Sequence, residues 1–343
     1  MTPTPASIID TALDRTVLPG YTSLGFRLRG ALRRQAPLPN MEGRTVLVTG
    51  GTSGLGMAAA EGFARLGASV HLLARDLARG EHARDEIRRS SGSGLVHVGL
   101  GDLSSLESVR EFAANFSAEQ LQLDVLVNNA GAMLDRRELS VDGVELTFAT
   151  NVLGPFLLSN LLVPLLLASA PSRIINVSSG GMYTARLDLE NLQSEASGYD
   201  APSVYARTKR AEVVLTEQWA KRLAGTGVVA HSMHPGWVDT PGLQASLPRF
   251  RRATAPLLRN AAEGADTILW LGASEEAAQS SGLFWHDRRA RPTHRVPWTH
   301  ETPAEQDALW RECERLSGWH APPGPPSAWP DPAVSRTAHQ TNP

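Results

Sequence analysis

Tyr205 and Lys209 stand four residues apart in Tyr205-Ala206-Arg207-Thr208-Lys209. On a helix that spacing puts both side chains on one face. A phenol with an ordinary pKa of about 10 is a poor acid or base at neutral pH, and a neighbouring ammonium favours its phenolate. The chemistry expected is proton exchange with a substrate oxygen. Ser178-Ser179, at the end of the run Arg173–Ser178, offers a hydroxyl to the same oxygen. Asn151 could anchor a water that links Lys209 to solvent. Alone, the pair has a plain alternative, a surface tyrosine beside a lysine.

A second set of residues points to a dinucleotide. Thr45–Thr49 reads as a short buried strand, followed directly by Gly50-Gly51-Thr52-Ser53-Gly54-Leu55-Gly56 and then a helix. In the G-x-x-x-G-x-G spacing Gly50 permits a tight turn, Gly54 lets backbone approach a pyrophosphate, and Gly56 lets helix and strand pack closely. The helix start supplies free amides for phosphate oxygens, with Thr52, Ser53 and Leu55 beside them. The second strand ends in Leu73-Ala74-Arg75-Asp76. An acidic residue at that end would favour NAD(H). Arg75 can instead pair with a 2′-phosphate, so NADP(H) is expected, with NAD(H) as the alternative. Arg75 capping a surface loop is the plain reading. Asp102 could accept from an adenine amino group with Leu103 over the ring, or could simply start a helix. Asn129, Ala130 and Gly131 are small enough for a nicotinamide ribose to lie close, and Lys209 could hold its hydroxyls.

These groups need a scaffold. Apolar runs at 45–49, 69–73, 95–98, 125–128, 173–178, 228–233 and 283–285 alternate with helical stretches at 57–66, 77–89, 105–116 and 203–223. Continuous apolar strands separated by helices predict an α/β Rossmann-type doubly wound parallel sheet of about seven strands, with helices on both faces. One domain is expected over 41–285, with an N-terminal extension (1–40) and a C-terminal extension (286–343) whose proline-dense tail, from Ala321, is expected to be disordered. With 343 residues, 42 % of them hydrophobic, and a net charge of −2, the chain can build one large core and lacks a basic field for nucleic acid. Its one cysteine, Cys313, allows no internal disulfide, which points to a reducing, cytoplasmic setting.

TGGTSGLG, NNAG, Asn151, the serine pair after INV, YARTK and His234-Pro235-Gly236 occur together, and in that order the sequence resembles the single-domain short-chain dehydrogenase/reductases over about residues 41–285. The resemblance implies a catalytic tetrad of Asn151, Ser179, Tyr205 and Lys209, the second serine of the pair matching the family position. It implies that Pro235 and Gly236 shape the nicotinamide wall, with Val238 nearby, and that Thr240 meets the carboxamide or a phosphate. It also implies a variable substrate-covering segment after that motif. Homodimers or homotetramers paired through the Asn151 and Tyr205 helices are a further implication. VSSGGM, LQSE, VVLTEQWA, SMHPGWVDTPG and EGADTILWL resemble an orphan group near the retinol-dehydrogenase-like branch. Many retinol-type relatives carry an N-terminal membrane anchor, which is not expected here.

Other features are read more plainly. Val152 to Ala170 is apolar enough to suggest a membrane span, but its prolines, Asn160 and Ser159 favour a buried helix. His234 is expected to be structural rather than a base. His286, His294 and His300 lack ligand spacing, so no metal is expected. Trp285, Trp298, Trp310, Trp319 and Trp329 are expected to pack on the core or a partner. Trp237 and 243–250 suggest an apolar substrate wall. Arg27, Arg29, Arg33 and Arg34, with Leu24, Phe26 and Leu28, are expected on a solvated helix wrapping the core, with a peripheral membrane contact as the alternative. The function expected is hydride transfer between NADP(H) and a small apolar carbonyl or alcohol. The alternatives are an NADP(H) sensor without turnover and a membrane-peripheral scaffold.

Overall fold

The apolar runs form strands because the fold covers both faces of their sheet, which is the setting that continuous Val/Leu/Ile runs require. The computed structural model describes residues 10, 13, 14, 16–32, 36–195, 198–246, 248–322 and 324. β1 (Thr45–Thr49), β2 (Ser69–Ala74), β3 (Val96–Leu100), β4 (Val125–Asn128), β5 (Ser172–Val177), β6 (Val228–Met233) and β7 (Phe284–His286) run parallel in the order β3-β2-β1-β4-β5-β6-β7. The order reverses between β1 and β4, so the cleft at their C-terminal ends is the topological switch point where such sheets bind ligands.

An eighth strand is an addition to the seven expected. β8 (Arg289–Arg291) returns antiparallel to β7 through Asp287-Arg288, which have φ of 51° and 56°. Two successive left-handed residues make the tight turn that suits a hairpin. Neither is glycine or asparagine. The conformation is held instead by side chains: Arg288 pairs with Asp266 at 2.5 Å, and Asp287 is locked between arginines.

Nine of the helices among the described residues precede or flank the sheet. α1 (Val17–Tyr21) and α2 (Ser23–Leu32) precede the sheet; α3 (Gly54–Arg65), α4 (Leu77–Ser91) and α5 (Leu106–Glu119) alternate with its first strands; α6 (Gly154–Leu161), α7 (Ala201–Arg222), α8 (Ala261–Ala273) and α9 (Pro303–Ser317) follow. Phe63, Ile87, Ile268 and Leu271 bring α3, α4 and α8 onto one sheet face. Phe116, Phe156, Trp219 and Trp310 bring α5, α6, α7 and α9 onto the other. The apolar stretch 152–170 is interior and broken into a π-helical turn (Ala149–Leu153), α6 and a short helix (Val163–Ala168). No helix among the described residues is long and apolar enough to cross a membrane.

Segments on both sides of the sheet region join this core. α9 opens on a capping box between Thr302 and Glu305. Its Trp310 packs edge-on against Phe156 at 4.9 Å and Trp219 at 5.8 Å, with Trp319 closing the cluster. The chain's own C-terminal helix thus covers part of the α6 and α7 surface through which pairing was expected. Trp285 packs on Trp270, whereas Trp298 is 69 % exposed. Trp329 and the tail from 325 lie outside the described residues.

At the other end the arginine cluster is corrected by Arg29. It is 1 % exposed and cannot face solvent or a membrane. Its guanidinium pairs with Asp10 at 3.0 Å and Asp287 at 2.5 Å, and Asp287 also holds Arg259 at 2.5 Å. A buried charge demands such partners. Arg27 is exposed and pairs with Glu263; Arg33 and Arg34 lie outside the described residues.

Candidate active site

The candidate residues gather at the C-terminal ends of β1, β4, β5 and β6. After β1, Gly50 and Gly54 have φ of 65° and 52°, a conformation that side chains resist, and Gly56 is buried against Gly50 and Asn129. Ser53 occupies the N-cap of α3, yet its hydroxyl makes no capping bond. Asn129 donates from its amide to the Thr49 carbonyl at 3.0 Å, and Thr49 Oγ1 accepts from the Asn129 and Ala130 amides, each at 3.0 Å. These bonds brace the turn.

At the end of β2, Asp76 caps α4 by accepting from the Arg79 amide at 2.9 Å. The carboxylate next to Arg75 is therefore engaged. Arg75 is exposed and makes no hydrogen bond or ion pair among the described residues. After β3, Asp102 accepts from the amide and the hydroxyl of Ser104, and Ser105 caps α5. Leu103 packs within the core.

The chemical groups meet on α7. Tyr205 is hydrogen-bonded to Ser179. Ser178, in contrast, is buried and donates to the Lys209 carbonyl at 2.7 Å. The strand alternation thus turns one serine to the helix backbone and the other to the cleft. Lys209 Nζ lies 5.5 Å from the centre of the Tyr205 ring. It donates to the Val177 carbonyl at 3.0 Å and to Glu212 at 2.6 Å. Asn151 sits in the π-helical turn. Its amide accepts from Ala132 N at 2.7 Å and donates to the Ala132 carbonyl and Thr208 Oγ1. It ties the loop after Gly131 to α7.

The electrostatics differ from the sequence expectation. Burial raises the Tyr205 pKa, Lys209 lowers it, Glu212 raises it, and the Ser179 hydrogen bond lowers it; the net direction is upward. The ammonium acts in the sense expected, but burial and a carboxylate outweigh it. Burial alone would lower the Lys209 pKa, and Glu212 and Tyr205 reverse that, so the amine stays protonated.

Two neighbours escaped the sequence reading. Glu212 continues the 205–209 face by another helical turn, so its spacing was legible once the helix was assigned. Tyr21 carried no local signal. It is 4 % exposed, packs edge-on to His234 at 4.4 Å, and accepts from the Trp237 amide at 2.8 Å. A methyl group at Gly180 would lie 2.7 Å from its ring. Tyr21 therefore wedges between the Ser179 loop and the His234–Gly236 loop. Gly180→Ala is expected to cost about 1–3 kcal/mol, because a buried ring held on both sides has nowhere to move. Urea denaturation measures it, and an unchanged midpoint would show the ring is free to shift.

His234 is structural, as expected. Burial, reinforced by His286 and Arg259, keeps it neutral, and its Nδ1 accepts from the Gly236 amide at 3.2 Å. Pro235 accepts from Arg259, and Val238 is buried. Thr240 caps the short helix Pro241–Ser246 by accepting from the Leu243 amide at 3.2 Å. Trp237 packs edge-on to Phe250 at 5.0 Å, and Asp239 pairs with Arg251 at 2.8 Å. These contacts brace the segment after β6, whose Thr240 and Pro241 lie against Gly54.

The profile of the family described as "short chain dehydrogenase" matches residues 44–249. The chain is a short-chain dehydrogenase. It is 46 % identical over 277 residues to "Dehydrogenase/reductase SDR family member 12" of Bos taurus, covering 80 % of this chain and 86 % of that protein. It is 38 % identical over 264 residues to "Retinol dehydrogenase 12" of Homo sapiens, covering 76 % of this chain and 82 % of that protein. Among solved structures it resembles the "Pseudomonas aeruginosa RhlG/NADP active-site complex", with a TM-score of 0.60 and 27 % identity, over 73 % of this chain and 96 % of that one. The dehydrogenase is thus an oxidoreductase of alcohols and carbonyls built on a nicotinamide-binding fold.

Proposed function

We propose that this dehydrogenase transfers hydride between NADP(H) and a small apolar carbonyl or alcohol, with Tyr205 as the acid/base. The observation that carries the reading is the convergence of Tyr205, Ser179 and Lys209 at the switch point of the sheet, beside a phosphate-sized turn. The residues fit the cofactor. The turn leaves the Ser53 hydroxyl uncommitted, and Gly50 to Gly56 present backbone at a helix start. Arg75 has no competing partner among the described residues, while the neighbouring carboxylate is engaged as a cap. That pairing favours a 2′-phosphate over a bare ribose.

When bound, the reduced nicotinamide supplies the hydride. Ser179 orients the substrate oxygen, and Tyr205 gives it the proton. Lys209 holds ribose hydroxyls and keeps a positive charge under Tyr205, while Asn151 holds the loop that closes over the ammonium. Trp237 and Phe250 offer the apolar wall for the substrate. A cytoplasmic setting fits a chain whose single thiol is buried in the core.

The test is cofactor oxidation followed by absorbance, with NADPH and separately NADH, against apolar aldehydes, ketones and quinones. Turnover with NADPH is expected. Tight binding without turnover on any substrate would turn the reading towards a sensor. Arg75→Ser is expected to weaken NADPH binding by about 10–100-fold, the worth of one charge-assisted contact, and to leave NADH binding nearly unchanged. Equal losses for both cofactors would defeat the role given to Arg75.

A further inference from the structure

We propose that Glu212 is a positioning residue that holds the Lys209 ammonium and sets how much of its field reaches the Tyr205 hydroxyl. The proposal rests on the acid/base role given to Tyr205 above. Its basis is geometric. Glu212 follows Lys209 by three residues on α7, and both side chains are buried, at 9 % and 3 % exposure. Glu212 Oε1 accepts from Nζ at 2.6 Å, while its Oε2 is buried with no hydrogen-bond partner among the described residues. The ammonium also donates to Val177, and a methyl group at Gly131 would lie 3.3 Å from it. The amine is therefore pinned between a strand end, a glycine and a carboxylate. Its position relative to Tyr205 follows from that carboxylate.

Among the described residues Glu212 has no other charged partner. From β5, Asn176 and Ser178 turn towards α7, bonding Thr216 and the Lys209 carbonyl, and both are neutral. The π-helical turn contributes Asn151, also neutral. The turn Gly180–Thr184 contributes Tyr183, whose hydroxyl donates to the Pro292 carbonyl and whose ionisation burial pushes up. Arg210, Glu217 and Lys221 lie on another face of α7, where they engage Glu301 and Gln306. Burial pushes the Glu212 carboxyl up to about 7 against the pull of Lys209. The pair consequently changes charge within the working range of most enzymes.

The sign of the effect is definite. An ionised Glu212 offsets Lys209 and raises the Tyr205 pKa. Removing its charge lets the ammonium act on the phenol unopposed, so phenolate forms at lower pH. The chain has four tyrosines, so the Tyr205 ring carbon is assigned by NMR of 13C-tyrosine-labelled full-length protein against Tyr205→Phe. In Glu212→Gln the Tyr205 titration midpoint is expected to fall by roughly one pH unit. In Glu212→Asp, which keeps the charge but withdraws it, the midpoint is expected to fall by less. The aspartate variant also gives a reading if the glutamine variant does not fold. Unmoved midpoints in the folded variants overturn the proposal. A purely packing role for Glu212 would lower stability and leave the titration where it was. The measurement needs no turnover, so a wild-type protein inactive on every substrate would count against the proposed reaction and leave this result readable. With an active enzyme, the rise of alcohol oxidation with pH moves to lower pH by the same interval in Glu212→Gln.

Discussion

Tyr205→Phe is expected to lower kcat/KM for carbonyl reduction by about 10²–10⁴-fold while NADPH affinity stays nearly constant. The substitution removes one oxygen. The ring keeps its packing and its place beside Lys209, whose Nζ lies 5.5 Å from the ring centre. The ammonium remains held by Val177 and Glu212 and can still meet a ribose. What is lost is the proton donor, the hydroxyl beside Ser179. Steady-state rates with direct fluorescence titration of NADPH separate these effects. A loss below about tenfold would mean that another group supplies the proton. The pH dependence follows from the raised pKa of Tyr205. Reduction needs the protonated phenol, so its rate is flat through neutral pH. Oxidation needs the phenolate, so its rate climbs with pH through the neutral range and beyond that of an ordinary tyrosine. An oxidation rate that levels off near neutrality would contradict the net upward shift.

Asp287→Asn is expected to destabilise the protein by about 3–5 kcal/mol, the cost of leaving buried charges without their counterion. Asparagine suits the left-handed backbone at this position as well as aspartate does, so the turn survives and the charge alone is removed. Arg29 and Arg259, each 1 % exposed, then face each other without the carboxylate that joins them. Asp10 still neutralises part of Arg29, which places the loss towards the lower end of that range. At about 2–4 °C per kcal/mol the melting midpoint drops by roughly 6–12 °C. Burial opposes ionisation of Asp287, but His286, Arg259 and Arg29 outweigh it and hold the carboxyl below the usual carboxylate range. Its contribution is present above the unfolded pKa of about 4 and is lost only as pH falls through the depressed folded value. The deficit of the variant is therefore expected to be constant from about pH 6 to pH 8. A deficit that vanished at neutral pH, or a wild-type midpoint retained by the variant, would show that the cluster is not a stabilising element.

Much of the sheet was legible because its strands are apolar on both faces and bounded by glycine or polar residues. β1, β4 and β6 match their expected limits, and the others shift by a residue or two. β8 was not legible. It has three residues, two of them arginine, and its turn contains no glycine or asparagine. It forms because Asp10, Asp266 and Thr267, distant in sequence, satisfy its charges and backbone. The arginines of α2 misled for a related reason. Charge alone suggests a wetted face, and only the arrival of Asp10 and Asp287 makes burial of Arg29 tolerable.

The glycine turn after β1, the shared Tyr205–Lys209 face and the buried nature of 152–170 were legible in the sequence, whereas the choice of Ser179 over Ser178 came from the family resemblance. For the first three the cause is local: backbone conformations that favour glycine, helical periodicity, or a run of apolar residues. The tertiary structure decided the rest. It set Tyr21 into the wall beside Ser179 and laid α9 across α6 and α7. It also reversed the net direction of the Tyr205 shift. Ionisation inside a protein depends on the balance of burial against every nearby charge, and that balance exists only once the chain has folded.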